Sequence, residues 1–171
     1  NIGGDYYNQG DRTKGHVYLI KALEIKRSVY GENHIEVAGS YEQIGLVYAN
    51  QEELPKAVAY LSKALEIEES IKGEKDSEIA ASYERLGGTC LKEKEFEKAI
   101  ECFLKALEIK KSIYGNNHAE VASSHAYIGG VYAEQKEYLK AIDYWLKSVD
   151  LYKSIYGENH DHIVGMYSNI S

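Results

Sequence analysis

Lys63-Ala-Leu-Glu-Ile67, followed six residues later by Gly73, is the stretch that decides the fold, because the chain carries it four times. The other copies are Lys21-Ala-Leu-Glu-Ile25 before Gly31, Lys105-Ala-Leu-Glu-Ile109 before Gly115, and a drifted Lys147-Ser-Val-Asp-Leu151 before Gly157. The four glycines stand at a fixed spacing (73 − 31 = 115 − 73 = 157 − 115 = 42). Self-similarity with a period of about 20 to 50 residues is the mark of a solenoid, in which a unit buries its apolar face only against its neighbours.

Inside each period apolar residues recur at the 3.6-residue spacing of helices, and the pattern breaks twice. The first break is Tyr30-Gly-Glu-Asn-His34, where Gly31 is expected to take the left-handed conformation that closes a helix. Three residues further on, His34, Asp76, His118 and His160 share one position. Aspartate there is a strong N-cap, so the histidines are read as capping or turn residues rather than catalysts. Glu36, Glu78 and Glu120 follow in the first turn, where a carboxylate suits the helix dipole.

The second break falls at Asn50-Gln-Glu-Glu53, Lys92-Glu-Lys-Glu95 and Glu134-Gln-Lys-Glu137, short polar turns between antiparallel helices. Pro55, the only proline, fits the first turn of a helix, where backbone N–H groups lack partners in any case. The spacing predicts A helices over about 35–50, 77–92 and 119–134 and B helices over about 54–72, 96–114 and 138–156. Full repeats then occupy about 31–72, 73–114 and 115–156, with partial repeats at 1–30 and 157–171. No strand signal is present, and the expected fold class is all-α, a solenoid of antiparallel helix pairs forming a single array over 1–171.

Composition narrows the function classes. A net charge of −7 argues against a nucleic-acid partner, since phosphate binding draws on clustered Lys and Arg. No apolar run approaches the roughly 18 residues of a membrane span, and no secretion signal precedes the repeats, so a cytoplasmic chain with no membrane partner is expected. Cys90 and Cys102 are too few for a disulfide framework and do not have metal-ligand spacing; they are read as reduced packing residues. The sixteen tyrosines fall mostly at repeated positions such as Tyr30, Tyr114 and Tyr156 and are assigned to packing.

Catalytic constellations are missing from the sequence. There is no phosphate-cradling glycine loop and no nucleophile elbow; Gly3-Gly4, Gly87-Gly88 and Gly129-Gly130 fall inside helices at a tight-packing position. His160-Asp-His162 offers two metal ligands without a third, and Asn169-Ile-Ser171 is read as a chance glycosylation sequon. The chain is therefore expected to be no enzyme and to hold no metal or cofactor.

The residues that recur in phase carry a family resemblance. They are Tyr41, Ile44, Gly45, Tyr48, Ala57, Leu61 and Ala64; then Tyr83, Leu86, Gly87, Cys90, Ala99, Phe103 and Ala106; then His125, Ile128, Gly129, Tyr132, Ala141, Trp145 and Ser148. In these the chain resembles tetratricopeptide repeats (TPR), in the 42-residue form similar to kinesin light chains. Small residues at the glycine and alanine positions let helices A and B approach closely while larger side chains fill the gaps between repeats. The chain opens at Asn1-Ile-Gly-Gly-Asp-Tyr6, in register with Gln43-Ile-Gly-Leu-Val-Tyr48, and closes inside the next A helix, so it reads as a fragment of a longer solenoid.

The resemblance implies a right-handed superhelix with a concave groove, lined mainly by the A helices, that accepts an extended peptide or a helix. The groove positions it implies are Gly39, Glu42, Gln43, Leu46 and Asn50; Ala81, Glu84, Arg85, Gly88 and Lys92; and Ser123, Ala126, Tyr127, Gly130 and Glu134. Chaperone-binding relatives hold a C-terminal carboxylate with Lys, Asn and Arg where this chain has Glu42, Leu46, Glu84, Gly88 and Ser123, which disfavours that ligand. Kinesin-light-chain-like repeats commonly show asparagine where this chain has Glu42, Glu84, Ala126 and Ser168, so a basic or mixed-charge partner is expected rather than an acidic cargo peptide.

Two functions follow as expectations. The first is a non-enzymatic protein–protein interaction scaffold or adaptor that binds a partner peptide or helix in the groove. The alternative is a sensor or autoinhibitory arm of a larger signalling ATPase or protease. The interrupted helices at both ends also make end-to-end self-association an expectation.

Overall fold

A computed structural model describes residues 12–73 and 76–158, and every element among them is an α-helix or a short connection. Seven helices follow one another: α1 (Arg12–Tyr30), α2 (Ile35–Asn50), α3 (Leu54–Lys72), α4 (Ser77–Lys92), α5 (Phe96–Tyr114), α6 (Ala119–Glu134) and α7 (Tyr138–Tyr156). Helices α2, α4 and α6 are the A helices, and α3, α5 and α7 the B helices, with the boundaries that the periodicity predicts. The chain divides between Glu74 and Lys75 into two compact units.

The A helices start where the sequence supplies a cap. His34 Nδ1 accepts a hydrogen bond from the Glu36 N–H at 3.2 Å, Asp76 Oδ1 from Glu78 at 2.7 Å, and His118 Nδ1 from Glu120 at 3.2 Å. The cap thus satisfies one of the four N–H groups that a helix start leaves open. His160, with His162 and the Asn169 sequon, lies outside the described residues. Pro55 stands in the first turn of α3, as its missing donor allows.

The B helices end on a glycine, though not in the left-handed helical conformation expected. Gly73, Gly115 and Gly157 combine φ of 77°, 79° and 86° with ψ of 168°, 175° and 176°. Positive φ with extended ψ is a region open essentially to glycine alone. It ends the helix after one capping bond and sends the chain straight into the next cap instead of continuing its turn.

At the other connection the left-handed position is filled by ordinary residues: Glu52 (φ 61°), Lys94 (φ 64°) and Lys136 (φ 62°). Around each, the following N–H reaches back five residues, Glu53 to the Tyr48 carbonyl, Glu95 to Cys90 and Glu137 to Tyr132, at 2.9–3.0 Å. The N–H of the left-handed residue itself bonds the carbonyl three residues back. That pair of bonds is a Schellman motif, and it satisfies the last carbonyls of the A helix while turning the chain back on itself.

In the first unit α1 packs on α2 and α2 on α3, around Leu19, Leu23, Val37, Ala38, Ile44, Val47 and Ile67. In the second, α4 pairs with α5, α5 with α6 and α6 with α7. Each A–B hairpin closes over one glycine. A Cβ on Gly45 would lie 2.8 Å from Leu61 Cγ, on Gly87 3.2 Å from Cys102 Cβ and the Phe103 ring, and on Gly129 2.6 Å from Trp145 Cδ1. Among the described residues the tight position belongs to these three, because a Cβ on Gly88 or Gly130 would meet nothing within 4 Å; Gly3 and Gly4 lie outside the described residues.

Cys90 and Cys102 are buried free thiols beside that contact. The assignment of repeated tyrosines to packing needs correction at the helix ends. Tyr30, Tyr114 and Tyr156 are exposed, and Tyr30 and Tyr114 lie flat on the capping rings of His34 and His118, with centroids 4.5 and 4.4 Å apart. There an aromatic stack steadies the connection instead of filling a core.

Candidate protein-binding face of the A helices

The candidate positions on α2, namely 39, 42, 43, 46 and 50, recur at helical spacing and so share one face, opposite the face that buries Val37, Ala38, Ile44 and Val47. The same spacing repeats on α4 and α6. None of the fifteen residues is buried. Gln43, Leu46, Asn50, Lys92, Tyr127 and Glu134 are exposed; Gly39, Glu42, Ala81, Glu84, Arg85, Gly88, Ser123, Ala126 and Gly130 are half-buried. The α2 set stands in the first unit and the α4 and α6 sets in the second.

Two of the exposed residues are large and apolar. Leu46 on α2 keeps 39% of its surface and Tyr127 on α6 keeps 50%. Tyr127 is also held in place, its ring stacked on Phe103 with centroids 5.4 Å apart. Small residues share these helix faces, and nothing within 4 Å would obstruct a Cβ on Gly39 of α2, on Gly88 of α4 or on Gly130 of α6. Backbone on this face is accordingly open to close approach.

The charges are less available than the sequence suggests. Lys110 on α5, only 5% exposed, donates to Glu84 Oε1 at 2.6 Å and to Glu120 Oε2 at 2.7 Å. Burial pulls the lysine's pKa down, but the hydrogen bonds to Glu120 and Glu84 outweigh it and raise the pKa, so the ion pair stays charged. Glu84 therefore already has its cation. Arg85 donates to Ser82 Oγ at 3.0 Å, and Ser123 shares a 2.7 Å hydrogen bond with the Tyr152 hydroxyl.

Lys110 was absent from the sequence-derived candidates, yet the sequence held a signal for it. The residue falls on the apolar stripe of Phe103, Ala106 and Leu107, where a lysine needs a carboxylate partner to be buried. Among the described residues no three metal-ligating side chains gather, and no helix is long and apolar enough to cross a membrane.

Helical hairpins of fixed length, closed over a glycine and repeated every 42 residues, define an all-α helical repeat protein. The tetratricopeptide repeat model matches residues 1–70 and 78–154, and the chain belongs to that family. Solved structures similar to it in fold include kinesin-light-chain repeats. A kinesin light chain from Podosopora anserina with nearly identical TPR-like repeats is similar over 99% of this chain and 80% of its own, at 14% identity and a TM-score of 0.82.

BtubC (BKLC) from P. vanneervenii is similar over 94% of this chain, at 19% identity and a TM-score of 0.78. The apo form of RapI is similar over 99%, at 24% identity and a TM-score of 0.77. The chain spans 64% of the length of BtubC and 45% of RapI. At these identities the likeness is one of fold. No curated protein sequence matches the chain. Tetratricopeptide repeats in general mediate protein–protein interaction, and the fold is typically a non-catalytic scaffold.

Proposed function

We propose that this chain is a non-enzymatic interaction scaffold that receives a peptide or helix of a protein partner on the outward face of its A helices. The observation that carries the reading is that all fifteen candidate positions escape burial, while the residues beside them on the same helices are packed away. In the first unit the face offers an apolar anchor, Leu46, with Gly39, and in the second Tyr127 with Gly88 and Gly130, small residues that let a second backbone come close. Residues at equivalent positions also differ from repeat to repeat, which is where one scaffold acquires its specificity.

The ligand is of mixed charge. The fifteen positions include Glu42, Glu84 and Glu134 as well as Arg85 and Lys92, and Glu84 is occupied by Lys110. A purely basic peptide would find fewer open carboxylates than the sequence offers, so apolar side chains flanked by both signs of charge fit better.

The test is capture of partners by the chain, quantified for wild type and for a Leu46→Arg, Tyr127→Arg double variant. A Leu139→Ser variant serves as control, since Leu139 on α7 is 86% exposed and stands off this face. Loss of a partner in the double variant and its retention in the control supports the reading; equal retention in both places recognition elsewhere.

A further inference from the structure

The Lys110–Glu84 ion pair has a counterpart in the first unit that lacks its cation. Subtracting one period of 42 maps Lys110 onto Glu68 of α3 and Glu84 onto Glu42 of α2. Subtracting two maps Lys110 onto Lys26 of α1, again a paired lysine, with Nζ 2.9 Å from Glu36 Oε2. The repeats on either side thus set an ammonium against a carboxylate, and the repeat between them sets a carboxylate at the lysine's place. A glutamate is one bond shorter than a lysine, so Glu68 points from α3 toward the position of Glu42 without reaching as far as Lys110 does.

Glu68 is 6% exposed, and its Oε2 has neither accessible surface nor a hydrogen-bond partner among the described residues. A buried carboxylate with no cation beside it is costly. Lys26, Arg27 and Lys63, which share the unit, are paired with other carboxylates. The third hairpin shows what is missing above Glu68. There the B-helix residue at this position, Tyr152, shares a 2.7 Å hydrogen bond with the Ser123 hydroxyl, and Ser123 maps onto Gly39. Gly39 offers no side chain, and a Cβ built on it would meet nothing within 4 Å. Glu42, one turn below Gly39 on α2, is half-buried and so reaches the outward face.

We infer, resting on the reading of this face as the partner's seat, that Glu42 with Glu68 beneath it receives the ammonium of a lysine side chain of the partner, through the gap at Gly39. Contact is made by Glu42, and the enclosed Glu68 acts through its charge. An ammonium there offsets two carboxylates, as Lys110 does for Glu84 and Glu120. Lysine is also what the chain itself places at this register position in α1 and α5. Leu46, one turn after Glu42, supplies an apolar contact beside the charge. In the second unit Lys110 already fills the place, so the preference for lysine belongs to the first unit.

The test titrates the whole chain with the blocked tetrapeptide Leu-Ala-Lys-Leu and with the same peptide carrying norleucine for lysine, followed by backbone amide NMR. The lysine peptide should shift Gly39, Glu42 and Leu46 and bind about 3- to 10-fold more tightly than the norleucine peptide. That advantage should fade toward 1-fold in about 1 M salt, where charges are screened beyond roughly 3 Å.

Glu68→Lys supplies the missing cation from within, at a position where Lys26 and Lys110 show that a lysine is accommodated. It should abolish the preference for lysine while leaving the norleucine peptide's affinity unchanged, and Glu42→Gln should reduce the preference likewise. Equal affinity for the two peptides, with shifts still confined to Gly39, Glu42 and Leu46, overturns the lysine site and leaves the outward face standing. Shifts from neither peptide on that face overturn both. A preference that survives Glu68→Lys also overturns the lysine site, as does displacement of the lysine peptide by an equal concentration of calcium or magnesium, which would assign the carboxylates to a metal ion.

Discussion

The first hairpin, α2–α3, and the third, α6–α7, share one plan and fill it differently. Both pair a 16-residue helix with a 19-residue one, begin on a histidine cap, turn through a left-handed residue and end on a glycine of positive φ. Yet Tyr41 corresponds to His125, a loss of volume, and Leu61 to Trp145, a gain. Where Trp145 is larger it presses on Gly129 and donates from Nε1 to the Ala126 carbonyl at 3.3 Å. Where His125 is smaller a cavity remains. The backbone plan prescribes which spaces exist, and each repeat then solves, or fails to solve, the filling of its own.

Acid should separate the two hairpins most. Burial, then Lys111 and Lys147, depress the His125 pKa from 6.5 to about 4. The unfolded chain therefore binds more protons than the folded one between those values, so this histidine's contribution is complete above about pH 6.5 and is lost as pH falls toward 4. The loss is on the order of 2–3 kcal/mol.

Tyr41 contributes nothing in this window, since burial and the Glu32 hydrogen bond raise its pKa above its ordinary 10. Urea unfolding at pH 7 and pH 4.5 should show the chain losing about 2 kcal/mol more than its His125→Tyr variant. Identical pH dependence in the two would mean that the ring is solvated and the contrast with Tyr41 carries no energy.

The adjacent glycines of α6 break the comparison at finer scale. Gly129→Ala places a Cβ 2.6 Å from a rigid indole and 3.1 Å from the Ala141 carbonyl, and should destabilise by about 1–3 kcal/mol after alanine's better helix propensity is counted. Gly45→Ala meets the Leu61 side chain at 2.8 Å, freer to shift than an indole, and the Leu61 backbone nitrogen at 3.2 Å, and should cost somewhat less. Gly130→Ala meets nothing and should stabilise by about 0.5–1 kcal/mol. Thermal melts of the three variants decide it. A stabilised Gly129→Ala would show that Trp145 is not wedged against the backbone.

Periodicity made the helices legible to their ends, because the caps, Pro55 and the closing glycines are each written at a fixed register position. The left-handed turns were not legible, since Glu52, Lys94 and Lys136 belong to types that favour other conformations and are forced by the flanking helices. Nor was the occupancy of Glu84, which depends on Lys110 reaching across to it from another helix. The fifteen outward positions came from the resemblance to tetratricopeptide repeats, their spacing showing only that each set shares one helix face, whereas the His125 cavity appears only when the residues at equivalent register positions are compared for size and charge.

The smallest expected effect is one in which the two hairpins should agree. Glu52 and Lys136 both sit at φ near 60° in the same Schellman geometry, although one is acidic and the other basic. A branched or long side chain is disfavoured there by contact between Cβ and the carbonyl oxygen, and asparagine tolerates the conformation better. Glu52→Asn and Lys136→Asn should each raise stability by a few tenths of a kcal/mol, and by equal amounts, because backbone strain is the same in both turns. Unequal gains would mean that one of the two side chains makes an interaction worth more than the strain it bears, and that the turns, like the cores, are solved separately in each repeat.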